Sequence, residues 1–117
     1  MMFRVLNQTR DTVIAEHGRS ARSFFARLKG LMGHPGLAEG EGLIIDPCSS
    51  VHSFFMRFPI DVIFLNRANV VVGLTHAMPP NKPYAGARSA RRVIELPAGT
   101  ITSSGTQIGD QIELPSS

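Results

Sequence analysis

Two apolar runs joined by four turn-forming residues constrain this 117-residue chain more than any other feature. "IDVIFL" (60–65) and "VVVGLTHAM" (70–78) flank "NRAN", and the pattern reads as a β-hairpin. The first run is apolar on both faces, with Ile63 and Leu65 on one side and Val62 and Phe64 on the other. Such a strand belongs inside a domain. Neither run approaches the roughly 20 apolar residues that a bilayer span takes, so no membrane segment is expected.

The rest of the chain repeats the theme in short pieces. "FRVLN" and "TVIAEH" around "QTRD" form a second hairpin signal, and "GLIID", "VHSFFM", "RRVIEL" and "QIEL" read as further strands. "SARSFFARLKGLMGHPG" has a different period: Phe24, Leu28 and Leu31 recur at intervals of four and three, with Ser20 as a cap and Gly30 or Gly33 before Pro35 as a stop. About seven short strands with one amphipathic helix at about 20–32 predict a mainly-β fold. The expected form is a compact barrel or sandwich with the helix packed against it, as a single domain over 1–117.

Composition narrows the function classes. Hydrophobic residues make up 43% and charged residues 18%, which argues against disorder. The single cysteine cannot form an internal disulfide, so packing must supply the stability. "MMFRVLNQTRD" lacks the basic-then-apolar layout of a secretory signal, and the expected compartment is the cytoplasm. The net charge of +3 comes from ten arginines and two lysines, with clusters at Arg19, Arg22, Arg27 and Lys29 and at Arg88, Arg91 and Arg92. Such clusters suit phosphate backbones or acidic proteins, but more often they form a solvated face. With no Trp and one Tyr, the stacking platform of single-strand binders looks absent, and the seven phenylalanines are assigned to the core.

"CSSVHSFFMRFPID" (48–61) concentrates the candidate chemistry. Cys48 and His52 would sit about 13 Å apart on one strand, so they form an activated pair only if "PCSS" turns first. A lone cysteine is more often a small buried hydrophobe than a nucleophile. His52 shares strand parity with Phe54 and Met56, and suits either a satisfied core position or a proton carrier in an apolar pocket. Asp61 opens a strand apolar on both sides and needs a partner: Arg57, backbone N–H groups near Pro59, or a cationic ligand. Glu95, in "RRVIELPAG", raises the same question. One cysteine and one nearby histidine fall short of the four ligands of a structural zinc, so neither a metal nor a cofactor is expected.

The ordered set "GLMGHPGL", "GEGLIIDPCSSVHSFFMRFPIDVIFL", "VVVGLTHAMPPNKPY", "RRVIELPAGT" and "IGDQIEL" resembles the bacterial and archaeal domain-of-unknown-function family numbered 192. The resemblance implies a small β-rich fold and no established activity. Its pattern falls on Gly30, Leu31, Met32, Met56, Pro59, Asp61, Pro79, Glu95, Gly99, Gly109 and Asp110. This chain departs from it with Phe55-Met56-Arg57-Phe58 where many relatives have a Trp-Met-Lys-Asn core.

The leading expectation is a non-enzymatic module that binds a small molecule or a protein. Its cleft would lie between the central motif 48–61 and the Pro-rich segment 79–88, with Cys48, His52, Met56, Asp61 and Glu95 as candidate ligand-binding residues. One alternative is a thiol-dependent hydrolase that uses Cys48 and His52, with Asp61 as a conceivable third member. Another is a basic adaptor for RNA or acidic partners through Arg19, Arg22, Arg27 and Lys29, a less favoured partner class.

Overall fold

A computed structural model describes residues 2–21, 36–54 and 56–115. The strands are β1 (Phe3–Asn7), β2 (Thr12–Ala21), β3 (Glu41–Ile45), β4 (Ser50–Val51), β5 (Ile60–Leu65), β6 (Val71–Met78), β7 (Ala85–Gly86), β8 (Arg92–Pro97) and β9 (Ile112–Glu113), with one short helix, α1 (Thr100–Ser104), between β8 and β9. Seven strands form one sheet in the order β6-β5-β8-β3-β2-β1-β9, and β4 and β7 pair as a separate ribbon. Among the described residues β2 and β3 run parallel, and the other pairings are antiparallel.

The sheet curls into a half-barrel until its two edges meet at one corner. There Val70 bridges Gln111, the Val71 N–H donates to Asp110 O at 2.9 Å, and Gly109 N–H donates to Val71 O at 2.8 Å. Curling gives the sheet an inside and an outside, and each carries its own apolar cluster. Val5, Ile14, Ile44, Ile63, Leu65 and Ile94 line the inside, with Ile101 of α1 packed among them. Leu43, Ile45, Val62, Phe64 and Val93 lie on the outside, under Val51, Met56 and Met78. This is why "IDVIFL" is apolar at every position: β5 is buried along its whole length and feeds both clusters.

The outer layer needs close approach at Gly73. A Cβ there would stand 2.5 Å from Ala87 Cβ and 3.3 Å from the Phe64 ring, so only glycine lets the 85–90 segment lie on β6.

The expected strands at both hairpins, in "RRVIEL" and in "QIEL", form as read. Among the described residues nine strands stand where about seven are expected, and three of them, β4, β7 and β9, are only two residues long. "VHSFFM" is a correction. Only Val51 of it is strand, and the segment from His52 turns because Ser53 is held by backbone groups outside any ladder. The parity linking His52, Phe54 and Met56 fails with it: Met56 is buried, while His52 and Phe54 are exposed. At the expected helix, Ser20 and Ala21 are the last residues of β2, and the rest of that reading lies outside the described residues.

Candidate functional site

Residues 48–54, 56–58 and 79–91 fold together as a lobe on the outer face of β3, β8 and β5. Its frame is the β4–β7 ribbon, with Ser50 opposite Gly86 and Val51 opposite Ala85. Ser53, fully buried, locks the two segments. Its hydroxyl donates to Pro79 O at 2.6 Å and accepts from the Lys82 N–H at 2.8 Å. Its N–H donates to Lys82 O, and its carbonyl accepts from the Asn81 and Met56 N–H groups. A buried polar side chain satisfied this fully rigidifies what it joins. The two segments expected to flank a cleft are therefore hydrogen-bonded to each other.

The lobe turns aromatic rings outward. His52 follows β4 directly and Tyr84 precedes β7 directly, each just outside the paired positions. The His52 and Phe54 rings pack in a tilted contact, with centroids 5.4 Å apart and planes at 37°. Phe54 is 41% exposed and Tyr84 69%. Two large planar side chains in water on one small ribbon are unusual for residues expected in a core. Around them Arg57, Lys82, Arg88 and Arg91 are exposed, and none enters an ion pair among the described residues. Between Pro47 and Ile94 the chain has six arginines and lysines and a single carboxylate, Asp61, which is buried. The exposed surface built by this stretch carries charge of one sign.

Of the expected residues, Cys48, His52 and Met56 belong to this lobe. Cys48 is half-buried, and its thiol donates to Ser50 O at 3.0 Å. His52 Nδ1 accepts from the Phe54 N–H at 3.1 Å, which in the neutral ring puts the proton on Nε2. Met56 packs in the outer cluster.

Asp61 and Glu95 face opposite sides of the sheet. Asp61 shares the inward face of Ile63 and Leu65, whereas Glu95 lies opposite Val62 and Leu43 on the outward face. One cleft cannot take both, and pleat parity is the reason.

Asp61, with no exposed surface, is wholly engaged by backbone. Its Oδ2 accepts from the Gly99 and Ile101 N–H groups at 3.1 and 2.9 Å. Gly99 is the N-cap of α1 and has no side chain to offer, so Asp61 supplies the cap from another strand. Its Oδ1 accepts from Ala77 N–H at 2.8 Å. The β5–β6 register shifts between Ile60 and Val62, and Ala77 takes a left-handed φ of 46°. The carboxylate thus satisfies an amide that the bulge removes from the ladder. Backbone N–H groups are its partners, as one reading allowed, but they come from α1 and β6 rather than from the Pro59 bend.

Glu95 is 3% exposed, and its Oε1 has no hydrogen-bond partner, the single such buried side-chain oxygen or nitrogen among the described residues. Desolvation pushes its carboxyl up to about 7.

Among the described residues no three His, Cys, Asp or Glu side chains gather as metal ligands, and no helix is long and apolar enough to cross a membrane. An open groove of about 430 Å³ lies along the β1–β2 hairpin, lined by Arg4, Gln8, Asp11 and Glu113 among others.

Comparison with known proteins fixes the lineage. The family DUF192, described as an uncharacterized ACR, matches residues 5–114. This chain belongs to the DUF192 family. A UPF0127 protein of Thermococcus sibiricus is 34% identical over 113 residues, covering 93% of this chain and 73% of that protein. One of Pyrococcus horikoshii is 34% identical over 112 residues, covering 93% and 96%. A crystal structure of a Novosphingobium aromaticivorans protein of unknown function has a TM-score of 0.84 at 23% identity, covering 97% of this chain and 85% of the other. A Sinorhizobium meliloti structure, described as a putative transcription regulator, has a TM-score of 0.78 at 21% identity, covering 94% and 89%.

The positions that carried the DUF192 resemblance fall into distinct structural tasks. Asp61 and Gly99 build the α1 cap. Gly109, with φ 96°, and Asp110 build the corner where the sheet edges meet. Asp110 is buried there and accepts from Arg10 Nε at 3.0 Å, Asn7 Nδ2 at 2.9 Å and the Gln107 N–H at 2.9 Å. The Arg10 hydrogen bond, aided by Asn7 and Gln107 and opposed by burial, holds its carboxyl down to about 2. Among the described residues, Glu95 alone of these acids keeps a buried carboxyl oxygen, Oε1, without a hydrogen bond. Sequence reasoning missed Ser53, Phe54 and Tyr84. The signal that was present is the absence of any acid but Asp61 from 47 to 94.

Proposed function

We propose that this DUF192 protein is a non-enzymatic binding module whose contact surface is the lobe of residues 48–54, 56–58 and 79–91. The observation that carries the reading is exposed Phe54 and Tyr84 beside the β4–β7 ribbon, together with exposed cations that enter no ion pair among the described residues. Conserving structure alone gives no reason to hold such rings in water, whereas interfaces favour aromatic and arginine side chains. The Ser53 bonds pre-organise the surface, which lowers the ordering cost of binding. The titratable groups within or beneath the lobe point away from catalysis. Asp61 is saturated by amides, Glu95 is beneath the lobe, and the acceptor nitrogen of His52 is engaged by Phe54.

Amide chemical-shift mapping with a set of aromatic carboxylate fragments tests the reading, since such fragments match both features of the patch. Perturbations are expected at 50–58 and 80–91 and to vanish in Phe54→Ala/Tyr84→Ala. Perturbations confined to the groove by Arg4 and Glu113, or no response from any fragment, would overturn it.

A further inference from the structure

The chemistry of the lobe names a class of ligand, an inference that rests on the lobe being the contact surface. We propose that the lobe binds single-stranded nucleic acid, with bases stacking on the His52–Phe54 pair and on Tyr84 and with phosphates meeting Lys82, Arg57 and Arg88.

Three observations converge on this class. First, the exposed large apolar side chains among the described residues of the lobe are aromatic, and they stand just beyond the paired ends of β4 and β7, with the His52 and Phe54 rings packed together. Single-stranded bases offer flat π-faces at successive positions, and aromatic side chains on a β surface are the usual platform for them. Second, the surrounding charge is of one sign. No accessible carboxylate from 47 to 94 would repel a phosphate chain, and Arg57, Lys82, Arg88 and Arg91 enter no ion pair among the described residues. Third, the platform is fixed rather than assembled on contact, because Ser53 and the β4–β7 pairing hold the two edges that carry the rings. An acidic peptide would use the cations but gives no account of Tyr84 at 69% exposure or of the packed His–Phe pair. A duplex hides its base faces and gives none either.

The test is fluorescence anisotropy of a labelled uridine oligomer about 10 nucleotides long, a length in the range of known single-strand sites. Binding is expected below about 100 µM protein at low salt, with a log–log salt slope near −2 for about three phosphate contacts. Phe54→Ala and Tyr84→Ala should each weaken it by roughly 5- to 150-fold while leaving the melting temperature in place, since both residues are exposed. An annealed duplex of the same length should bind more weakly.

Three results would overturn the proposal, and they separate its two layers. If an oligoglutamate or an anionic vesicle binds in a Lys82-dependent way and the uridine oligomer does not, the ligand class falls and the lobe stands. If the oligomer binds but ignores Phe54→Ala, Tyr84→Ala and Lys82→Glu alike, the lobe falls as well. If Lys82→Glu abolishes binding while both aromatic substitutions leave it unchanged, contact is by charge alone and the stacking assignment is wrong.

Discussion

At the residue scale the two buried acids that looked alike in the sequence have opposite physics. Asp61 holds three backbone amides belonging to α1 and a bulge of β6, so its removal leaves each of them without an acceptor. Asp61→Ala should cost about 2–4 kcal/mol in urea unfolding, from one lost cap and orphaned buried N–H groups. A loss within about 0.5 kcal/mol, the range of an ordinary surface change, would contradict the assignment.

Glu95 has a buried Oε1 with no hydrogen bond among the described residues. Folded, it ionises at about 7 rather than at its ordinary 4.5 because it is desolvated. Between those values the folded chain holds a proton that the unfolded chain has released. Stability therefore falls as pH rises through that window, and it levels off above it. Comparing urea unfolding at about pH 5 and about pH 8, wild type should lose roughly 2–3 kcal/mol more than Glu95→Gln. Parallel behaviour of the two proteins would show that the carboxyl finds a partner in solution. Neither acid's role was readable from the sequence. "IDVIFL" and "RRVIEL" announce buried carboxyls, but pairing register and the distant α1 decide which one is satisfied.

At the element scale the outer layer depends on how closely β6 and the 85–90 segment approach. Gly73→Ala would put a methyl 2.5 Å from Ala87 Cβ, and overpacking of that kind typically costs about 1–3 kcal/mol. Ala87→Gly in the same chain should recover much of the loss, because it removes the atom that clashes. Additive destabilisation in a double-mutant cycle would mean that the two positions do not touch.

The elements themselves were largely legible. Both hairpins, β8 and the last strand appear where alternation and turn residues put them, because "QTRD" and "NRAN" interrupt the apolar runs sharply. Asn66 shows the local chemistry, its Oδ1 accepting from the Ala68 and Val70 N–H groups across that turn. "VHSFFM" misled because its apolar composition is that of a strand. Its path is set instead by Ser53 bonding to residues more than 25 positions away, which no local pattern encodes.

At the scale of the whole molecule, a half-barrel with two apolar faces divides the work. The inner cluster, α1 and the Arg10–Asp110 corner close the scaffold. The outer cluster is roofed by a small ribbon lobe that presents rings and cations to solvent. Composition hid this surface. One tyrosine and no tryptophan give little sign of exposed rings, and the phenylalanines are expected in the core, yet Phe54 and Tyr84 are exposed.

The central claim is that this lobe, and not net charge, governs contact with anionic partners. The most direct measurement is the salt concentration that elutes the protein from heparin, for wild type, Lys82→Glu and Arg4→Glu. Both substitutions change the net charge equally, but Lys82 is on the lobe and Arg4 is on β1 beside Glu16. Lys82→Glu is predicted to elute at clearly lower salt than Arg4→Glu, which should stay near wild type. Equal displacement of the two variants would mean that the column senses total charge, and the lobe would lose its claim as the binding surface.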